Sequence, residues 1–162
     1  MVETKMSEKI KMSFKNESQQ KVDIEEVEEV HTEKVLEYIN NPKNLEIMRN
    51  YDGKGEKTAK VQKQIITIWI YLKIKYDVIQ KASYFSDSLG GLIHAYGSIL
   101  IEMVKQKTIR EALWIQPEDI SASLDLPETG FGAWFKGALV EAINNYNIYK
   151  SAPWKKIYEQ KC

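Results

Sequence analysis

Gln64-Ile65-Ile66-Thr67-Ile68-Trp69-Ile70-Tyr71-Leu72-Lys73-Ile74 is the most informative run of the chain. Ile66, Ile68, Ile70, Leu72 and Ile74 alternate with Thr67, Trp69, Tyr71 and Lys73, so one face is aliphatic and the other mixed. A period of two sustained this long fits a half-buried strand and not a helix. Around it, Tyr76 to Phe85 reads as a weaker strand, Ala59 to Gln62 opens a third, and Asp52-Gly53-Lys54-Gly55 reads as a turn. After Gly90-Gly91 the period changes: Leu92, Ile93, Tyr96, Leu100, Met103 and Val104 predict a helix from about Leu89 to Lys105. Thr108 and Glu111 suit a capping box for a short helix, Ile109 to Ile115, and Pro117 opens another to about Leu124. Phe135, Leu139, Ala142, Ile143 and Tyr146 line one side of a last helix, from about Phe131 to Asn145. Upstream, Thr32 caps a helix carrying Val35, Leu36 and Ile39 that Asn40-Asn41-Pro42 stops. Strands first and helices after predict an α+β fold, with helices on one face of a small antiparallel sheet.

The 162 residues carry 23 Lys plus Arg against 23 Asp plus Glu, a formal net charge of zero. No net positive charge exists to drive counterion release, so nucleic acid is not an expected partner. With 43% hydrophobic and 28% charged residues the composition is that of a soluble globular protein. No apolar run approaches a membrane span. Met1 to Lys11 has neither a secretory apolar region nor transit-peptide character, so a cytoplasmic protein without a membrane is the expectation. The one cysteine is Cys162. It excludes a disulfide framework, a zinc finger, or a cluster held by several thiolates of one chain. Residues 1–30 read as a charged, mobile arm, in which Val22, Ile24, Val27 and Val30 have partial helical spacing. Residues 31–148 form the folded domain. Residues 149–162 are an extension in which Tyr149, Trp154, Ile157 and Tyr158 alternate with Lys150, Lys155, Lys156 and Lys161.

Several segments, in order, resemble the IscU/NifU N-terminal family of iron–sulfur cluster assembly scaffolds. They are Glu33 to Tyr38 followed by Asn41-Pro42-Lys43-Asn44, then Ile70 to Ile74, and above all Ser98 to Leu113 with Lys107-Thr108-Ile109 and Glu111-Ala112-Leu113. Glu118-Asp119-Ile120, Leu126-Pro127 and Glu141-Ala142-Ile143 with Tyr146 continue the series. The resemblance covers roughly residues 31–148 and implies a three-stranded antiparallel sheet backed by helices.

Family scaffolds hold a nascent cluster with three cysteines on three loops, assisted by an aspartate and commonly a histidine. In this chain the resemblance puts Gln62 at the first cysteine, Gln64 at the aspartate and Gly90 at the second cysteine. The histidine–cysteine pair falls on Gly130-Phe131, or on Gly132-Ala133 with a different gap. Amides are neutral, hard, weak donors and glycine has no side chain, so the soft anionic set that a cluster needs is missing. The resemblance therefore implies a degenerate family member with no cofactor. It would be a protein-binding adaptor or subunit for iron–sulfur or metallocofactor machinery and not an enzyme. Leu126, Pro127, Phe131, Trp134 and Trp154 are the expected interface. The alternative is a small-molecule or mononuclear metal carrier using the former pocket, with Asp87 and His94 as added polar groups. His31 reads as a flanking residue, and with no base near Cys162 a catalytic thiol is not expected.

Overall fold

In a computed structural model the described residues are 21–24, 32–88 and 90–151, the first four by backbone alone. Strand β1 (Lys21–Ile24) is followed by helix α1 (Glu33–Asn40), strands β2 (Gly53–Val61), β3 (Gln64–Lys75) and β4 (Val78–Ser86), and helices α2 (Gly91–Val104), α3 (Ile109–Leu113), α4 (Pro117–Ala122) and α5 (Phe131–Ser151). The sheet order is β1-β2-β3-β4. Strands β2, β3 and β4 make the expected antiparallel meander. Their α+β arrangement stands, with one addition: β1 pairs parallel with β2, Ile24 opposite Val61. The partial helical spacing in 22–30 is therefore not what Val22 and Ile24 adopt; they lie in this strand. The rest of the arm, with His31, lies outside the described residues.

The aliphatic face of β3 carries the core. Ile68, Ile70 and Leu72 are wholly buried, as are Leu100 and Ile101 of α2 and Phe135, Leu139 and Ile143 of α5. Both hairpins turn on two residues at positive φ, Gln62-Lys63 and Tyr76-Asp77, the pattern of type I′ turns. The predicted caps are present. Thr32 accepts from the Val35 N–H, and Thr108 with Glu111 completes a capping box.

Asp52 to Gly55 is not a turn, because β2 begins at Gly53. The glycines serve helix packing instead. A Cβ on Gly55 would stand 1.9 Å from the Ala138 carbonyl oxygen, and one on Gly53 2.4 Å from that of Ala142. Helix α5 thus rests backbone to backbone on β2 at these two positions. It also runs to Ser151 rather than stopping at Asn145. There it is tied to the β3–β4 turn: the Tyr146 hydroxyl donates to Asp77 Oδ1 at 3.0 Å, and the Lys150 ammonium pairs with the same oxygen at 2.9 Å. The Lys150 and Tyr146 bonds hold the Asp77 carboxyl below its usual range. Burial first, then the Asp77 bond and charge, push the Tyr146 phenol up to about 12.

Two carbonyls of β2 accept from α5 side chains, Lys57 from the Trp134 indole N–H (3.1 Å) and Lys54 from the Asn145 amide (2.8 Å). On β4, Asn44 to Glu46 bracket Tyr84, and Gln106 and Lys107 bracket Ile79. Among the described residues no helix is long and apolar enough to cross a membrane.

Substituting Gly55→Ala forces a backbone shift and should cost about 1–3 kcal/mol in denaturant unfolding. Gly137→Ala, inside α5, meets only the Lys57 side chain at 3.6 Å. It should be neutral or stabilise by up to about 1 kcal/mol. The Tyr146 phenol keeps its proton in the fold at pH values where the unfolded chain has lost it. Stability should therefore be complete below pH 10 and fall from there towards about 12. In Tyr146→Phe that alkaline slope should flatten.

Candidate functional site

The three loops that sequence reasoning singled out meet. A cavity of about 130 Å³ lies at the end of the sheet beyond the β2–β3 hairpin, lined by Val61, Gln62, Gln64 and Ile66 from the hairpin. Ser88, Gly90, Gly91, Leu92 and Ile93 line it from the start of α2, and Phe131 from the start of α5. Gln62, Gln64, Gly90 and Phe131 are thus brought together. Gly130 sits one residue before Phe131 at φ 105°, a left-handed conformation that glycine adopts without strain.

Local chemistry explains each wall. The type I′ turn at Gln62-Lys63 reverses the chain in two residues and puts Gln64 opposite Val61. Ser88 Oγ accepts from the Gly90 N–H at 3.2 Å, and Ser86 Oγ from the Ser88 N–H at 3.1 Å, so hydroxyls shape the entry to α2. Gly90 is the N-cap of α2, with extended backbone and no side-chain cap.

The third wall depends on a residue that the sequence did not flag. Glu128 caps α5: Oε1 accepts from the Gly132 N–H (2.9 Å) and the Thr129 N–H (3.1 Å), and Oε2 from the Ala133 N–H (2.9 Å). Oε1 also accepts from the Ser121 hydroxyl at 2.9 Å, and Ser121 Oγ lies 2.6 Å from the buried Tyr96 hydroxyl. With the Ser121 proton committed to Glu128, the Tyr96 hydroxyl is the donor of that second bond. The Tyr96 ring stacks between Phe131 and Phe135, at 5.3 and 5.9 Å between centroids. One chain of contacts from Glu128 through Ser121 and Tyr96 therefore fixes Phe131 against the cavity. The carboxylate also meets the positive end of the helix.

Other expected site residues are placed elsewhere. The Asp87 carboxylate accepts from the Thr67 N–H at 2.9 Å and lines a shallow groove that adjoins the cavity, sharing Gln64, Ile66 and Ser88 with it. His94 lines neither. Its Nδ1 is 3.1 Å from the Tyr84 hydroxyl, and burial holds its imidazole below the ordinary value. The two were expected to share one pocket and do not, because each is held by a partner on the sheet. Among the described residues no group of three His, Cys, Asp or Glu side chains is placed for a metal ion. The interface expectation also changes. Phe131 (2% exposed) and Trp134 (0%) are core, the second held by its bond to Lys57. Leu126 is half-buried and Pro127 exposed, while Trp154 and Cys162 lie outside the described residues. The large apolar side chains that reach solvent are others, among them Ile65 beside the hairpin turn and Trp114 after α3.

Residues 30–152 match the model of the NifU-like N terminal domain. The chain belongs to that family. It is 34% identical to the iron–sulfur cluster assembly protein IscU of Plasmodium falciparum over 123 residues, covering 72% of this chain and 73% of that protein. It is 31% identical to the mitochondrial iron sulfur cluster assembly protein 1 of Debaryomyces hansenii over 127 residues, 75% and 70% of the two chains. A nitrogen-fixing NifU-like protein (N-terminal) from Brucella abortus superposes with a TM-score of 0.44 at 17% identity, over 74% of this chain and 83% of that one. This NifU-like domain carries its one cysteine at position 162, outside the matched region.

Removing the α5 cap tests the third wall. Glu128→Ala should cost about 1–2 kcal/mol in unfolding free energy, within the range for a lost N-cap and its buried partners. Near-ultraviolet dichroism should change with it, since Tyr96 and Phe131 lose their fixed setting.

Proposed function

We propose that this chain is a thiolate-free member of the scaffold family that works as a protein-binding subunit or adaptor in iron–sulfur or metallocofactor assembly. It would neither hold a cluster in the usual way nor act as an enzyme. One observation carries the reading: the positions resembling the family's ligand loops converge on one cavity, and they present two amides, glycine and phenylalanine. Iron–sulfur clusters need soft anionic donors, three or four to a cluster. Loss of the thiolates also removes the acceptor for persulfide sulfur. A frame kept without its chemistry suits a protein whose partners use its surface. The exposed Ile65 (59%) and Trp114 (68%) offer apolar contact, and aromatic anchors are enriched in interfaces.

The alternative, a small-molecule carrier, is favoured by the cavity itself. The mononuclear metal form of that alternative draws no support from Asp87 and His94, whose side chains are bonded apart from each other.

Anaerobic incubation with iron, sulfide and a cysteine desulfurase tests the first reading. No stoichiometric visible absorption should develop, whereas affinity purification from the native host should recover a stoichiometric assembly or metallocofactor protein. A cluster at one per chain would overturn the proposal.

A further inference from the structure

We infer that the cavity between the β2–β3 hairpin, the start of α2 and the start of α5 is a binding site for a small uncharged molecule of about six non-hydrogen atoms. Such a molecule would be mainly apolar with one hydrogen-bonding end. The inference rests on the carrier reading and is independent of the adaptor reading.

Size comes first. A cavity of roughly 150 Å³ lined by Leu, Ile and Phe holds a benzene-sized ligand, and this one measures about 130 Å³. Its chemistry comes second. Val61, Ile66, Leu92, Ile93 and Phe131 give an apolar lining; Gln62, Gln64 and Ser88 supply neutral polar groups. Among the described lining residues no side chain is ionisable.

Glu128, Asp87 and His94, close in sequence to the cavity walls, are bonded to groups outside the lining. Glu128 is spent on the N–H groups of α5 and the Ser121 hydroxyl. Asp87 is bonded to the Thr67 N–H, and His94 faces Tyr84. A charged ligand entering this space would lose water and meet no charged side chain in the described lining, which disfavours it. A neutral amide, alcohol or ketone loses less and can exchange hydrogen bonds with a primary amide, which both donates and accepts. Specificity in such pockets comes from a few polar groups set in an apolar lining.

Isobutyramide, isobutyrate and isobutyramidinium share one six-atom skeleton and differ in charge. Titrated into the full-length protein and followed by amide NMR shifts, isobutyramide should move the signals of Gln62, Gln64, Gly90 and Gly91. For a ligand this small the dissociation constant should be no tighter than about micromolar. The two ions should bind at least tenfold more weakly. Gly90→Leu should abolish the shifts. A Cβ at that position meets only Ile93 and Ser88 atoms at 3.4 Å and beyond, so the longer side chain has the cavity to fill. Gln64→Glu, an exposed position, should reverse the order and favour isobutyramidinium. Equal binding of the three probes, shifts scattered away from the cavity, or an unchanged order in Gln64→Glu would each overturn the inference. None of these outcomes bears on cluster assembly, so its failure and that of the adaptor reading are separately visible.

Discussion

Helix α5 lies directly on β2, and the remaining architecture depends on that contact. Gly53 and Gly55 face Ala142 and Ala138 with no room for a Cβ on the strand. The approach brings the Trp134 indole and the Asn145 amide to carbonyls of β2, which a more distant helix would not reach. It also fixes where α5 begins. Phe131 meets the cavity, and the far end of the helix is anchored at Asp77. Close packing of this kind tolerates little variation, since a single added methyl must displace backbone.

The same helix is held at its start by Glu128, whose two oxygens receive three backbone N–H groups and one hydroxyl. A side chain eleven residues beyond Pro117 thereby joins α4 to α5 and, through Tyr96, to α2. In this NifU-like domain the start of α5 keeps its position by an internal hydrogen-bonded brace and aromatic stacking.

The strand at Gln64 to Ile74 and the caps at Thr32, Thr108 and Pro117 were legible because each rests on a local rule: period two, a hydroxyl at N-cap, a ring at the first helical residue. What stayed hidden was set by tertiary contact. Gly53 and Gly55 carry the local signature of a turn, and only the helix above them explains their place in a strand. Neither hairpin has an Asn-Gly or Asp-Gly pair; Gln62-Lys63 and Tyr76-Asp77 take positive φ because the strands demand it. For the site, the convergence of Gln62, Gln64, Gly90 and Phe131 was foreseen through family resemblance. The exclusion of His94 and Asp87 was not, since their partners Tyr84 and Thr67 lie on strands whose facing sequence does not announce. Trp134 looked like a surface aromatic because of its place near a loop. Its burial follows from Gly55 drawing the helix down.

Along β4 the outer side of Tyr84 is taken by Asn44 and Glu46 and that of Ile79 by Gln106 and Lys107, so a visiting peptide finds no unbroken ladder on this strand to extend. Main-chain zippering is interrupted along that border.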